Sequence, residues 1–470
     1  MGFFDSLPQA PKLRPHLNVG SVFDIPTGNY VLGQHGESIL NAGVSTVNSI
    51  AGPGNTFKSE ILNYLFFTVM ARYSPSQGAA YDTENSMTYK RLNRAANRHW
   101  QLKDVDFSSA EGANKLRLTQ SADILGDDYF ELIKEGSRER AKASKKLEIG
   151  TPFFDDSGKQ IAILPPMLVN IDSLTEFKVS AVQDKLVDKN AVGESGANTQ
   201  FMKDGAAKTQ LITQLPNMGV QGGLYFFLVA HIGMGIEMDP YAPKAPKLTH
   251  SRSGTKTKGV PEKFSFINNN LFEIFDAKVL YNSSADKSAR YPKSDSDRIA
   301  GTSDLTVVHM VNTRNKNGPS GIKFELVISQ SEGLLPHLTN FHFLKGQNYG
   351  FSGNNTTYVL DIYPEVTLSR TTIRSKIDED PKLCRALEIV TQLRQMELYW
   401  SDIDPALHVT PDVLYKDIKE LGYDWDILLD TRDYWVFECD ESKEKPFLST
   451  MDLLRMRAGQ YVPWWYPKKT

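Results

Sequence analysis

Ile50-Ala-Gly-Pro-Gly-Asn-Thr-Phe-Lys-Ser59 joins a short apolar run, 47–51, to a stretch with helical apolar spacing, and this junction decides the fold. The general phosphate-loop pattern is glycine, four residues of any kind, then Gly-Lys-Ser/Thr. Gly52, Lys58 and Ser59 fit it, while Phe57 stands where the second glycine belongs. Gly52 and Gly54 are expected to turn the backbone tightly, so that the amides of the Gly52-Pro53-Gly54-Asn55-Thr56-Phe57 stretch point at a β-phosphate. The helix starting near Lys58 adds its positive N-terminal end, Lys58 reaches the β and γ oxygens, and Ser59 binds magnesium. ATP and Mg2+ are therefore the expected ligands. Phe57 is compatible with this arrangement if it has helical backbone angles and its ring turns away from the nucleotide.

Working outward, residues 58–73 place Ile61, Leu62, Leu65, Phe66, Val69 and Met70 at the spacing of a helix with one buried face. Apolar, β-branched or aromatic runs at 47–51, 79–81, 167–171, 225–230, 272–281, 305–311 and 322–329 alternate with helical stretches. That alternation predicts an α/β fold, a twisted, mostly parallel central sheet flanked by helices, with an antiparallel extension where the last runs crowd together. Residues 1–30 read as an N-terminal arm and 31–372 as the core, with an insertion at about 100–164. That insertion contains a charged helical segment, 129–146, and a hairpin turn at Asp155–Lys159. Residues 373–470 read as a smaller, mainly helical C-terminal domain. Two Gly-, Ser-, Lys- and Pro-rich stretches, 182–205 and 238–265, are expected to be mobile loops.

Composition narrows the class. A length of 470 residues implies more than one structural unit. With 40% hydrophobic residues and no apolar run of about 18, the chain is expected to be soluble and not membrane-embedded. Cys384 and Cys439, without CxxC or Cys/His clusters, give neither a disulfide framework nor a zinc site, and a reducing cytoplasm is the natural setting. A net charge of −3 does not exclude nucleic acid, because binding depends on where positive charge sits.

Three further elements supply chemistry. Tyr81-Asp-Thr-Glu84 ends one strand and Asn170-Ile-Asp172-Ser ends another. Ligands of open α/β sheets bind at carboxyl strand ends. Asp172 is thus placed to hold the magnesium water shell, and Glu84 to orient and deprotonate an attacking water. His231 follows a further strand, where it can sense a γ-phosphate. Lys244, Lys247, Arg252, Lys256, Lys258 and Lys263 stand against the single acid Glu262 between residues 244 and 263, a pattern suited to tracking a phosphate backbone.

In this order the elements resemble the RecA-type recombinases, most closely the UvsX recombinases of tailed phages, over roughly residues 30–350. The resemblance rests on Gly-Pro-x-x-x-Phe-Lys-Ser at Gly52–Ser59, on Tyr81–Glu84 and on Ile171-Asp-Ser-Leu174. It implies that His231 is the γ-phosphate sensor, that 175–205 and 233–265 are the two DNA-binding loops, and that Arg314 and Lys316 reach the ATP of a neighbouring subunit. It also implies a DNA-dependent ATPase that polymerises as a helical filament on single-stranded DNA, pairs it with double-stranded DNA, and works with single-stranded-DNA-binding and loader proteins in recombination, repair and replication. Arg91 stands where the family stacks a tyrosine on adenine, and Phe3 and Phe4 lie where an arm could hook the next protomer. The competing expectations are a hexameric helicase of the same superfamily and a DNA-binding scaffold that has lost turnover.

Overall fold

In the computed structural model, residues 11–467 are described except 12, 180–204, 235–248, 252–254, 300, 302 and 355. The central sheet has ten strands: β1 (Val47–Gly52), β2 (Gln77–Asp82), β3 (Leu116–Gln120), β4 (Met167–Asp172), β5 (Leu224–Met234), β6 (Thr255–Thr257), β7 (Asn270–Val279), β8 (Leu305–Asn315), β9 (Lys323–Ser329) and β10 (Gly333–Leu334). Their order is β10-β9-β8-β7-β1-β5-β4-β2-β3, with β6 paired to β5. From β7 to β3 every neighbour is parallel. From β7 to β10 every neighbour is antiparallel. The expected α/β fold, with a parallel centre and an antiparallel edge, is present.

The central strands β1, β4 and β5 are apolar over most of their length because both faces are covered, as parallel sheets require. Helix α1 (Lys58–Arg72) packs on one face. Its expected apolar stripe is fully buried, but Phe67, Asn63 and Thr68 are buried too. The reason is a second cover: Phe107 stacks on Phe67 at 5.7 Å, so segment 97–114 closes the side of α1 that a simple amphipathic helix would leave wet.

Segment 97–164 supplies more than an appendage. Its strand β3 extends the parallel sheet beside β2, in register from Gly78↔Leu116 to Asp82↔Gln120. Helix α2 (Gly126–Lys142) follows, and Tyr129 from it stacks on Tyr81 at 4.4 Å. The hairpin Ile149–Phe154/Gln160–Ile163 turns where expected, with Asp155 Oδ1 accepting from the amides of Ser157 and Lys159.

Residues of the N-terminal segment from Leu13 onward lie against the body of the fold. Leu17, Val19, Phe23 and Ile25 are buried, and the indole of Trp435 donates to His16 O at 2.7 Å. Beyond residue 372 the chain is mainly helical. Helix α3 (Pro336–Gln347) and the later helices α4 (Ile373–Glu379), α5 (Pro381–Tyr399), α6 (Pro411–Glu420) and α7 (Thr450–Arg457) share a core with Leu305, Val307 and Val327 of the antiparallel edge. Among the described residues, no helix is long and apolar enough to cross a membrane.

The expectation of a mobile loop over 238–265 is corrected in its described part. Thr255–Thr257 pairs antiparallel with Ile232, Gly233 and Met234, where β5 continues past the end of β1. Phe264 is fully buried in a short helical turn. Backbone pairing to an overhanging strand holds Thr-Lys-Thr in place without any apolar signal of its own.

Candidate functional site

The parallel register sets four strand ends side by side. Gly52 on β1 is level with His231 on β5, and Asp82 on β2 is level with Asp172 on β4. Five of the sequence-selected side chains are carried at this end of the sheet: Lys58, Ser59, Asp172, Glu84 and His231. Ser59 Oγ donates to Asp172 Oδ2 at 2.5 Å, and His231 Nε2 lies 3.5 Å from Glu84 Oε1. Lys58 Nζ donates to Pro53 O at 2.5 Å, folding back over the loop, and Thr56 Oγ1 donates to the same carbonyl at 2.8 Å.

The loop reaches this shape by a route that differs from the expected one. Its left-handed residues are Asn55 at φ 56° and Phe57 at φ 63°, not the glycines. Phe57 therefore does not have helical backbone angles. It takes the conformation that a glycine at that position would accept without strain, and its half-buried ring packs against the main core. Gly52 has a packing role, since a Cβ there would stand 3.0 Å from Ile274 Cβ and 3.1 Å from Thr56 Oγ1. A Cβ at Gly54 would meet open space.

Sequence reading missed the hydrogen bonds that aim these groups. Asp82, buried, accepts from Glu84 N at 3.0 Å and Met87 N at 2.6 Å, which fixes the turn carrying Glu84. Thr83 clasps the neighbouring strand end: its amide donates to Asp172 O at 2.8 Å, and its hydroxyl accepts from Ser173 N at 2.7 Å and donates to Ser173 O at 3.1 Å. Thr175 Oγ1 accepts from His231 N at 2.9 Å. A polar residue beside each selected acid was the available signal, but its use depends on register.

Electrostatics at the site favour a cation. Burial raises the Asp172 carboxyl above the ordinary carboxylate range, the Ser59 hydrogen bond opposes this, and Glu84 and Asp82 add to the rise. Burial lowers the Lys58 ammonium, against the pull of Asp172 and Glu84. Two carboxylates thus act on one lysine, and a third, Asp82, acts on Asp172. Among the described residues, no group of three His, Cys, Asp or Glu has metal-ligating geometry. A hydroxyl and one carboxylate nonetheless suit magnesium, which keeps several waters and takes substrate phosphates as ligands.

The remaining sequence-selected residues are dispersed. Arg91 is held on Glu60 at 2.9 Å, next to the first turn of α1. Arg314 and Lys316 are at the other end of the sheet, where Asn270 and Leu271 begin β7 and Asn270 pairs with Asn48 near the start of β1. There Arg314 Nε donates to Asn268 O at 3.3 Å and Lys316 Nζ to Ile267 O at 3.2 Å. Lys256 and Lys258 are exposed on and beside β6, and Lys258 N donates to His231 O at 2.8 Å. Lys263 is exposed as well, whereas Lys244, Lys247 and Arg252 lie outside the described residues.

No protein-family model and no curated protein matches the chain. Among solved structures, the crystal structure of the RadB recombinase is similar over 63% of this chain and 93% of its own, at 14% sequence identity and a TM-score of 0.31. A likeness of that size assigns no role to any residue here.

Proposed function

We propose that this chain is a RecA-type, DNA-dependent ATPase of homologous recombination and repair that polymerises on single-stranded DNA and promotes strand exchange with a duplex. The observation that carries the reading is the gathering of Lys58, Ser59, Asp172, Glu84 and His231 at adjoining ends of parallel strands. In this reading Lys58 exchanges its bond to Pro53 O for phosphate oxygens, and Glu84 orients and deprotonates the attacking water. Ser59 and Asp172 are the residues that would hold magnesium, which supplies charge neutralisation at the phosphates.

His231 links that chemistry to DNA. Its side chain reaches Glu84, while its backbone carbonyl accepts from Lys258 beside the basic strand β6. A shift at the acid therefore has a short covalent and hydrogen-bonded route to Lys256 and Lys258, which in turn would meet the phosphate backbone. Arg314 and Lys316, at the far end of the sheet from the loop, would serve a neighbouring copy's nucleotide. Head-to-tail contacts of this kind build open helical filaments.

Lys58→Ala and Glu84→Ala are each expected to abolish DNA-stimulated ATP hydrolysis, measured as steady-state phosphate release with and without single-stranded DNA. Turnover like that of the unmodified chain in either variant would sink the proposal. Negative-stain images with an ATP analogue and single-stranded DNA should show filaments; closed rings would favour a helicase.

A further inference from the structure

The helix that begins at the phosphate loop ends, at Arg72, beside a cavity lined by both charged and apolar side chains. The cavity has a volume of about 420 Å³ and lies between the end of α1, the β10–α3 junction and helices α4 and α5. Small-ligand sites commonly measure roughly 300–1,000 Å³. No residue assigned above to nucleotide or DNA lines it.

Its charges are unevenly matched. The acids facing it already have cationic partners: Glu332 has Arg374 at 2.6 Å and Lys293 at 3.2 Å, Asp378 has Lys293 at 2.9 Å, and Glu388 has Arg385 at 3.3 Å. Arg72 and Arg98 face the same space with no carboxylate of the described residues at ion-pair distance. Arg72 Nη1 donates to Asn18 O at 3.2 Å, and its guanidinium lies 4.2 Å from the centre of the Tyr434 ring. Arg98 Nη1 donates to Leu334 O at 3.4 Å. The nearby acids Asp24 and Asp433 are engaged elsewhere, Asp24 by the amides of Val19 and Gly20, and Asp433 by Gln392 and Arg385.

Two imidazoles complete the wall. Burial, and after it the Arg72 charge, carries the His99 pKa down to about 3 and that of His337 to about 4. His337 Nδ1 is buried with no hydrogen-bond partner and stands 3.7 Å from Glu388 Oε1. A guanidinium fork matches an oxyanion in two-point geometry, and neither fork is taken up by a carboxylate, although Asp433 and Asp24 favour the Arg72 charge from a distance.

We propose that this cavity binds a small ligand through an oxyanion, phosphate or carboxylate, seated on Arg72 and Arg98 and hydrogen-bonded by His337. The proposal stands apart from the nucleotide reading, because its residues and its test do not involve the phosphate loop.

Calorimetric titration of the full chain with inorganic phosphate, and separately with succinate, tells the two oxyanion sources apart. A Lys58→Ala chain titrated alongside removes any phosphate held by the loop. Saturable binding of one probe is expected, surviving Lys58→Ala, lost in Arg72→Gln and weakened by about tenfold or more in Arg98→Ala. Should Arg72→Gln not fold, Arg98→Ala and His337→Asn decide the matter, since Arg98 is exposed at the surface. Absence of saturable binding for both probes, or binding unchanged in both Arg98→Ala and His337→Asn, overturns the proposal.

Discussion

Phe57, with φ at 63°, holds the entrance of α1 in a conformation that costs a non-glycine residue about 1–2 kcal/mol. Its ring, packed against the main core, offsets part of that cost, so the loop keeps a glycine-like turn at the residue that breaks the motif. The strain sits at Asn55 and Phe57, which leaves the glycines for other purposes. Gly52 lets β1 pass Ile274, and Gly54 faces open space, where in the proposed function a phosphate oxygen would approach the backbone. Gly54→Ala is therefore expected to leave thermal stability within about 0.5 kcal/mol of the parent, a typical surface effect. The same methyl would weaken ATP binding by about tenfold, or 1.4 kcal/mol. Calorimetric ATP titration beside a melting curve checks both halves; an unstable variant, or one binding ATP at full strength, contradicts this account of the loop.

At the scale of elements, the site depends on strand ends being locked to one another. Thr83 ties β2 to β4 with a backbone and a side-chain contribution, and only the latter can be removed by mutation. Thr83→Val keeps the shape but strands Ser173 N, at a cost of about 1–3 kcal/mol for a buried unpaired amide. Because Glu84 follows immediately, kcat is expected to fall by about tenfold or more with KM little changed, as steady-state kinetics would reveal. A change confined to KM would place the clasp outside catalysis. The elements themselves were largely legible: apolar runs marked β1, β4 and β5 because buried parallel strands leave a nearly continuous hydrophobic record, and β8 because it too is buried, between antiparallel neighbours. Strand β3, Leu-Arg-Leu-Thr-Gln, escaped because an edge strand with one wet face carries a weaker signal. Strand β6 escaped because its only support is pairing with the overhang of β5. Asp172, Glu84 and His231 were legible as residues at or just past strand ends and Lys58 through the loop pattern, whereas Asp82, Thr83 and Thr175 acquire their partners only through register.

For the whole molecule, titration should report how the buried polar groups between α1 and the C-terminal helices are shared. Burial lowers His16 and His337 to about 4 and His99 to about 3. A depressed histidine is neutral in the fold while the unfolded chain takes a proton below its ordinary value of 6.5. Those three therefore subtract stability as pH falls from 6.5 towards 4. Glu388 acts in the opposite sense. Burial, then repulsion from Asp433, raises its carboxyl well above the ordinary 4.5. The folded chain then binds a proton at a pH where the unfolded chain does not, and stability rises on acidification from the raised value down to 4.5. Asp24, raised by burial to about 7, acts likewise. Glu388→Gln removes one of these two compensations without removing the histidines. Its melting temperature is therefore expected to drop more steeply than the parent's between about pH 7 and pH 5. Parallel slopes in melting curves recorded across that window would mean that Glu388 is ionised in the folded chain, and that Arg385 outweighs burial at this position.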